Sequence, residues 1–95
     1  MHLCQKQRCY NLYMYYFYIL RCRDKSLYCG VAKDVKKREA EHNAGKGSKY
    51  VRSRGGGKVV YFERLKSLGK ALKREAEVKK WPRLRKLQFI KKTTR

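Results

Sequence analysis

The sequence predicts an α/β fold: a three-stranded antiparallel sheet flanked by helices, in the order ββαβαα. Two short aromatic or β-branched runs stand either side of a polar turn. A third such run follows a glycine-rich stretch, and capped segments of helical pattern occupy the remainder.

The aromatic run Tyr15-Tyr16-Phe17-Tyr18-Ile19-Leu20 is rich in strand formers, and Leu27-Tyr28-Cys29-Gly30-Val31-Ala32 resumes as a strand after the polar turn Arg23-Asp24-Lys25-Ser26. Together they form a hairpin. Side chains alternate between faces, so a four-residue turn would put Tyr18 and Tyr28 on opposite sides, and a bulge or an odd loop is expected. Asp34 suits the N-cap of a helix running to Ala44, with Gly45 as its left-handed closing residue.

From Gly45 to Gly57, five glycines and the cations Lys46, Lys49, Arg52 and Arg54 surround Tyr50, which predicts a mobile basic loop rather than a packed element. The spacing of a Walker loop is absent. Lys58 to Arg64 reads as the third strand. Ser67 caps a helix to about Trp81, and Pro82 suits the first turn of a last helix ending near Ile90. Residues 1–12 read as a flexible basic arm, 13–91 as one domain and 92–95 as a frayed end.

Hydrophobic residues make up 42% of the chain and are clustered, which argues for one small core. Lys and Arg number 27 against 7 acids, a formal charge of +20, and so dense a positive field calls for a polyanionic partner. Nucleic acid, anionic membrane and ribosome all meet that requirement. Without a lipidation signal or a long amphipathic basic helix, nucleic acid is favoured.

The apolar run Leu12 to Leu20 is about half of the roughly 20 residues a membrane span needs, and no A-x-A site follows it. A cytoplasmic, nucleoid-associated protein is expected. Cys4, Cys9, Cys22 and Cys29 then read as free thiols, their spacing offering no C-x2-C pair for zinc.

One acid stands out. The helix after Ser67 carries Leu68, Ala71, Leu72 and Val78 on one stripe, and Glu75 lies within about 20° of Leu68's direction, whereas Glu77 points to solvent. A carboxylate beside an apolar core needs a partner, which is either a structural salt bridge or a divalent cation such as Mg2+, held by one carboxylate and substrate phosphate. On the Asp34 helix, Val35, Arg38 and His42 share a face with little apolar content around it. Arg38 and His42, one turn apart, are placed to meet a common anion or to form part of a solvated basic face. Tyr18 and Tyr28, two of eight tyrosines, read by pattern as half-buried packing residues or as site residues.

In order, Tyr18-Ile19-Leu20-Arg21-Cys22, Ser26-Leu27-Tyr28-Cys29-Gly30, Glu41-His42-Asn43-Ala44-Gly45-Lys46-Gly47, Lys49-Tyr50 and Ala71-Leu72-Lys73-Arg74-Glu75 resemble the GIY-YIG nuclease family, especially its short single-domain bacterial branch. The resemblance spans about residues 15 to 90. It implies the GIY-YIG fold and a catalytic set of Tyr18, Tyr28, Arg38, His42 and Glu75 around one phosphate, with Glu75 holding Mg2+ or Mn2+. One tyrosine, Tyr28 ahead of Tyr18, would help deprotonate the attacking water, Arg38 would stabilise the pentavalent charge, and His42 would position or relay a proton. Tyr50 and Arg52, with Lys37, Lys46, Lys49 and Arg54, would bind DNA. Glu39 stands where the family has an apolar residue, and is expected to loosen that helix or offset Arg38's charge.

The reading is therefore a metal-dependent DNA endonuclease of weak sequence preference, acting on duplex, nicked or branched DNA in repair or processing. The alternative is a non-catalytic nucleic-acid-binding module on the same fold. A third reading is a small RNA- or ribosome-associated protein.

Overall fold

The computed structural model describes residues 14–93; the arm expected over residues 1–12, with Cys4 and Cys9, lies outside them, as do residues 94–95 of the expected frayed end. The elements are β1 (Tyr15–Cys22), β2 (Leu27–Ala32), α1 (Val35–Asn43), α2 (Lys49–Ser53), β3 (Gly57–Leu65), α3 (Leu68–Lys79) and α4 (Arg83–Thr93). The sheet is antiparallel in the order β2-β1-β3. The architecture is the one expected, with one helix more.

β1 is central and covered on both faces, which is why its sequence is a continuous apolar run instead of an alternating one. Tyr18, Leu20 and Cys22 point to one side, where they pack with Ala32, Val51 and the half-buried Tyr28, Val35 and Val59. Phe17 and Ile19 point to the other, against Cys29, Val78, Tyr61, Trp81 and Ile90. Helices α1 and α2 thus cover the first face, α3 and α4 the second. Phe17, Tyr18, Ile19 and Leu20 are all essentially inaccessible, each stabilising the fold by about 1.5–3 kcal/mol through burial.

The hairpin settles the register by an odd loop. Tyr18 pairs with Gly30 and Leu20 with Tyr28, while the Cys22 N–H bonds the Ser26 carbonyl at 2.8 Å. Only Arg23, Asp24 and Lys25 are left to turn the chain, and Lys25 takes the left-handed conformation at φ 73°. An odd count puts Tyr18 and Tyr28 on the same face. A bulge is present too, but on the other side of β1, where the β3 register slips between Ile19 and Leu20.

Four expectations need correction. The segment from Gly45 to Gly57 is not simply a loop: Ser48 caps the short helix α2, and Val51 is fully buried against the first face. One apolar side chain among glycines and cations is a weak periodic signal, yet its burial anchors the whole segment. Leu68 and Leu72 are 44% and 47% exposed, because α3 presents Ala71 and Val78 to the sheet and carries the leucines on its flank. Glu39 neither loosens α1 nor neutralises Arg38: its carboxylate accepts the Val59 N–H at 2.7 Å, at the register slip, and ties α1 to β3. The last helix also runs beyond Ile90, to Thr93.

Asn43 makes the second tie. Its amide accepts from the Gly57 N–H and donates to the Gly57 carbonyl, both at 2.9 Å, a two-point dock of α1 on the start of β3. Asn43→Ala removes both bonds and should cost about 1–2 kcal/mol. In a domain this small, a thermal melt would then fall by about 5–15 °C; an unchanged melt would show that the dock is dispensable.

Among the described residues, no helix is long and apolar enough to cross a membrane. Cys22 and Cys29 are free, buried thiols, as expected, and they lie on opposite faces of the sheet. Burial pushes the Cys29 thiol up.

Candidate active site

Gly30 is the starting point. It lies opposite Tyr18 on β2, and a Cβ there would stand 2.5 Å from the Tyr18 hydroxyl, so only glycine lets the phenol lie across the edge strand. The hydroxyl ends 3.0 Å from His42 Nε2 on α1. His42 is itself 2% exposed, and its other nitrogen, Nδ1, accepts the Ser48 N–H at 3.2 Å. Since Nδ1 is the acceptor, the neutral ring carries its proton on Nε2 and donates it to the Tyr18 oxygen. Gly47 is the second obligatory glycine, because a Cβ there would collide with the His42 ring.

Electrostatics favour that neutral pair. Burial first, then the Arg38 charge, lowers the affinity of His42 for a second proton. Burial also pushes the Tyr18 phenol up to about 12, with Tyr28 and Glu75 adding to the rise and Arg38 opposing it. The folded His42 titrates below 6.5, its ordinary value, so the unfolded chain takes up the proton first as pH falls. The stability His42 contributes is therefore complete above about 6.5 and declines below it. Melting temperature should drop from pH 7.5 to 5.5 more steeply in the wild type than in His42→Gln; a parallel decline in both would refute the assignment.

Tyr28, half-buried, meets the His42 ring at 5.4 Å between centroids and the Tyr18 ring at 6.4 Å. Tyr50 of α2 stacks on Tyr28 at 5.9 Å with the rings 25° apart, and the Arg54 guanidinium lies 4.4 Å over Tyr50. Arg54 in turn bonds Asp24 of the hairpin turn at 2.6 Å. Hydrogen bonds from Ser26 and Arg54 hold the Asp24 carboxyl down at about 2.

Arg38, half-exposed, donates from Nε to Glu41 at 3.0 Å. Such an exposed pair is weak and can be displaced by a stronger anion. Glu75 stands on the opposite side of the sheet, carried by α3. Arg74 bonds Glu63 of β3 at 2.7 Å, which sets the helix's rotation, and Glu75 lies on the other flank of the Ala71–Val78 line. Its side chain is 22% exposed and pairs only loosely with Lys79, at 3.8 Å. It is near enough to Tyr18 to strengthen that phenol's hold on its proton.

The structure thus joins Tyr18, Tyr28 and His42 in direct contact, and brings the charges of Arg38 and Glu75 to bear on the Tyr18 hydroxyl. Lys37 lies nearer the start of α1, lining an adjoining cleft that includes Arg38. Of the expected DNA-contacting set, Lys46, Lys49, Tyr50 and Arg52 are exposed or half-exposed around α2, whereas Arg54 is committed to Asp24 and Tyr50. Sequence reasoning passed over Ser48, Asn43, Gly30 and Gly47. Three of them stood inside the quoted motifs, where glycine and asparagine could have been read as demands for close approach and backbone docking.

A model of the GIY-YIG catalytic domain matches residues 14–88. The chain belongs to the GIY-YIG family. The chain is 52% identical over 77 residues to a UPF0213 protein of Syntrophus aciditrophicus (strain SB), spanning 80% of this chain and 88% of that protein. It is 46% identical over 76 residues to a UPF0213 protein of Staphylococcus saprophyticus, spanning 80% and 93%. The solution NMR structure of a UPF0213 protein from Bacillus halodurans superposes with a TM-score of 0.55 at 38% identity, covering 85% of this chain and 86% of that one. UPF0213 proteins are a short single-domain branch of the GIY-YIG family. The GIY-YIG domain is of nuclease type, and nucleic acid is the substrate class it implies.

Proposed function

We propose that this GIY-YIG chain is a divalent-metal-dependent endonuclease that hydrolyses DNA phosphodiester bonds with weak sequence preference. The observation that carries the proposal is the Tyr18 hydroxyl, which accepts a hydrogen bond from a tautomer-locked His42 while Arg38 and Glu75 act on it with opposite signs of charge. Beyond its part in the core, this convergence provides what phosphoryl transfer needs: fixed donors, a guanidinium and a carboxylate.

The donor set suits magnesium. Among the described residues no three His, Cys, Asp or Glu side chains cluster to enclose a metal, and the half-buried Glu75 has only a loose partner. A single carboxylate completed by waters and substrate oxygen is the way Mg2+ or Mn2+ is commonly held. When bound to Glu75, the ion supplies charge neutralisation at the scissile phosphate.

The chain's own residues divide the remaining work. Tyr18, buried and holding its proton, orients the phosphate through its hydroxyl. Tyr28, wetter and unbonded to His42, is the candidate general base: as a phenolate, its own proton given up to solvent, it takes the water's proton at Oη. Arg38 gives up Glu41 for the phosphate and stabilises the charge that builds there. His42 keeps Tyr18 in place. Lys37, Lys46, Lys49, Tyr50 and Arg52 contact the backbone of the strand, which positions DNA without reading bases. Nicked or branched DNA, processed during repair in the cytoplasm at the nucleoid, is the substrate and setting this reading favours.

The direct test is supercoiled plasmid incubated with purified protein and Mg2+, Mn2+ or EDTA. Nicking in either metal and none in EDTA is expected. Tight gel-shift binding with no nicking under any condition would instead establish the binding module.

A further inference from the structure

A cleft of about 370 Å³ opens where the start of β1, the end of β2 and the first turns of α1 and α3 meet. Its lining combines the apolar surfaces of Tyr15, Val31 and Leu68 with the cations Lys33, Lys37 and Arg38. Leu68 is 44% exposed there, on the same flank of α3 as Glu75. Arg38 is shared with the candidate active site, so the cleft is continuous with it. The cleft's two acids are both already engaged: Asp34 accepts the Lys37 N–H as the α1 N-cap, and Glu41 is bonded to Arg38.

We infer that this cleft receives one unpaired nucleotide of the substrate, next to the scissile phosphate. The inference rests on the nuclease reading for its placement. A duplex offers a protein its phosphates and keeps its base faces stacked; only a nucleotide turned out of the helix presents a flat apolar face and a phosphate together. The cleft offers the matching pair. Leu68 and Val31 meet the base face, while Lys33 and Lys37 meet its phosphates. Lys33 is held at the rim by the Tyr15 ring, over which its ammonium lies at 5.6 Å. A wholly phosphate-tracking surface has no use for an exposed leucine between three cations. The substrate feature that follows is one unpaired nucleotide beside the cut.

Binding measured in EDTA tests this without any cleavage, so a failure of the nuclease reading in the plasmid assay leaves the result interpretable. The probes are a fluorescent duplex with one unpaired thymine and its fully paired counterpart, compared by anisotropy at matched salt. The wild type should bind the bulged duplex on the order of tenfold more tightly. Leu68→Ser, which alters no charge at an exposed position, should abolish that preference and leave fully paired binding unchanged. Lys33→Gln should lower the salt slope on the bulged duplex by about one, whereas Lys92→Gln on α4 should leave the preference intact. Equal affinity of the wild type for both duplexes, or a preference that survives Leu68→Ser, would overturn the inference.

Discussion

Glu75→Gln should lower metal-dependent nicking by about 10²–10³-fold or more while DNA binding stays the same or tightens slightly. Glutamine keeps the volume and the hydrogen-bonding reach of the side chain, so the substitution removes only charge. The fold should not notice: Glu75 is half-buried, and its partner Lys79 is loose and 63% exposed, so little stability rests on the pair. Removing one negative charge from a +20 chain favours association with DNA. Undiminished nicking by pure Glu75→Gln would remove the carboxylate from the mechanism.

Gly30→Ala is expected to destabilise the domain by about 1–3 kcal/mol, enough to lower the melting temperature by about 5–20 °C, and to abolish activity in what still folds. The new methyl carbon would lie 2.5 Å from the Tyr18 hydroxyl and 2.6 Å from its Cζ. Tyr18 has nowhere to retreat, being 1% exposed, and any movement breaks its bond to His42. Gly69→Ala provides the opposite sign in the same molecule. On the first turn of α3 its methyl would meet only the Ser67 Oγ, at 3.9 Å, so restricting the unfolded chain should stabilise by about 0.4–1 kcal/mol. Thermal melts of the two variants check both; a Gly30→Ala protein as stable as wild type would mean that Tyr18 does not need the glycine.

Much of this architecture was legible because its local signals agreed with its tertiary contacts. Asp34, Ser67 and Gly45 cap the helices where side-chain chemistry requires, and the aromatic run forms the central strand. What escaped was decided by contacts distant in sequence. Val51 has no periodic neighbour, so its burial depends on a surface provided by β1. Glu39 looks misplaced on a helix until a slipped register in β3 offers it an amide. Leu68 and Leu72 share a stripe with Ala71, but the pattern cannot say which edge of that stripe meets the sheet. The catalytic candidates were named from spaced motifs, and spacing alone did not foresee that His42 would be buried with both ring nitrogens bonded.

Successive residues of β1 serve opposite layers: Phe17 and Ile19 below, Tyr18 and Leu20 above. The strand therefore behaves like a reading frame. A single-residue deletion between Tyr18 and the hairpin tip would exchange the two layers at a stroke, setting a phenylalanine before the imidazole and stranding the phenol under α3. Substitutions within either layer can be absorbed piecemeal, but the count of residues between Tyr18 and the hairpin tip cannot drift.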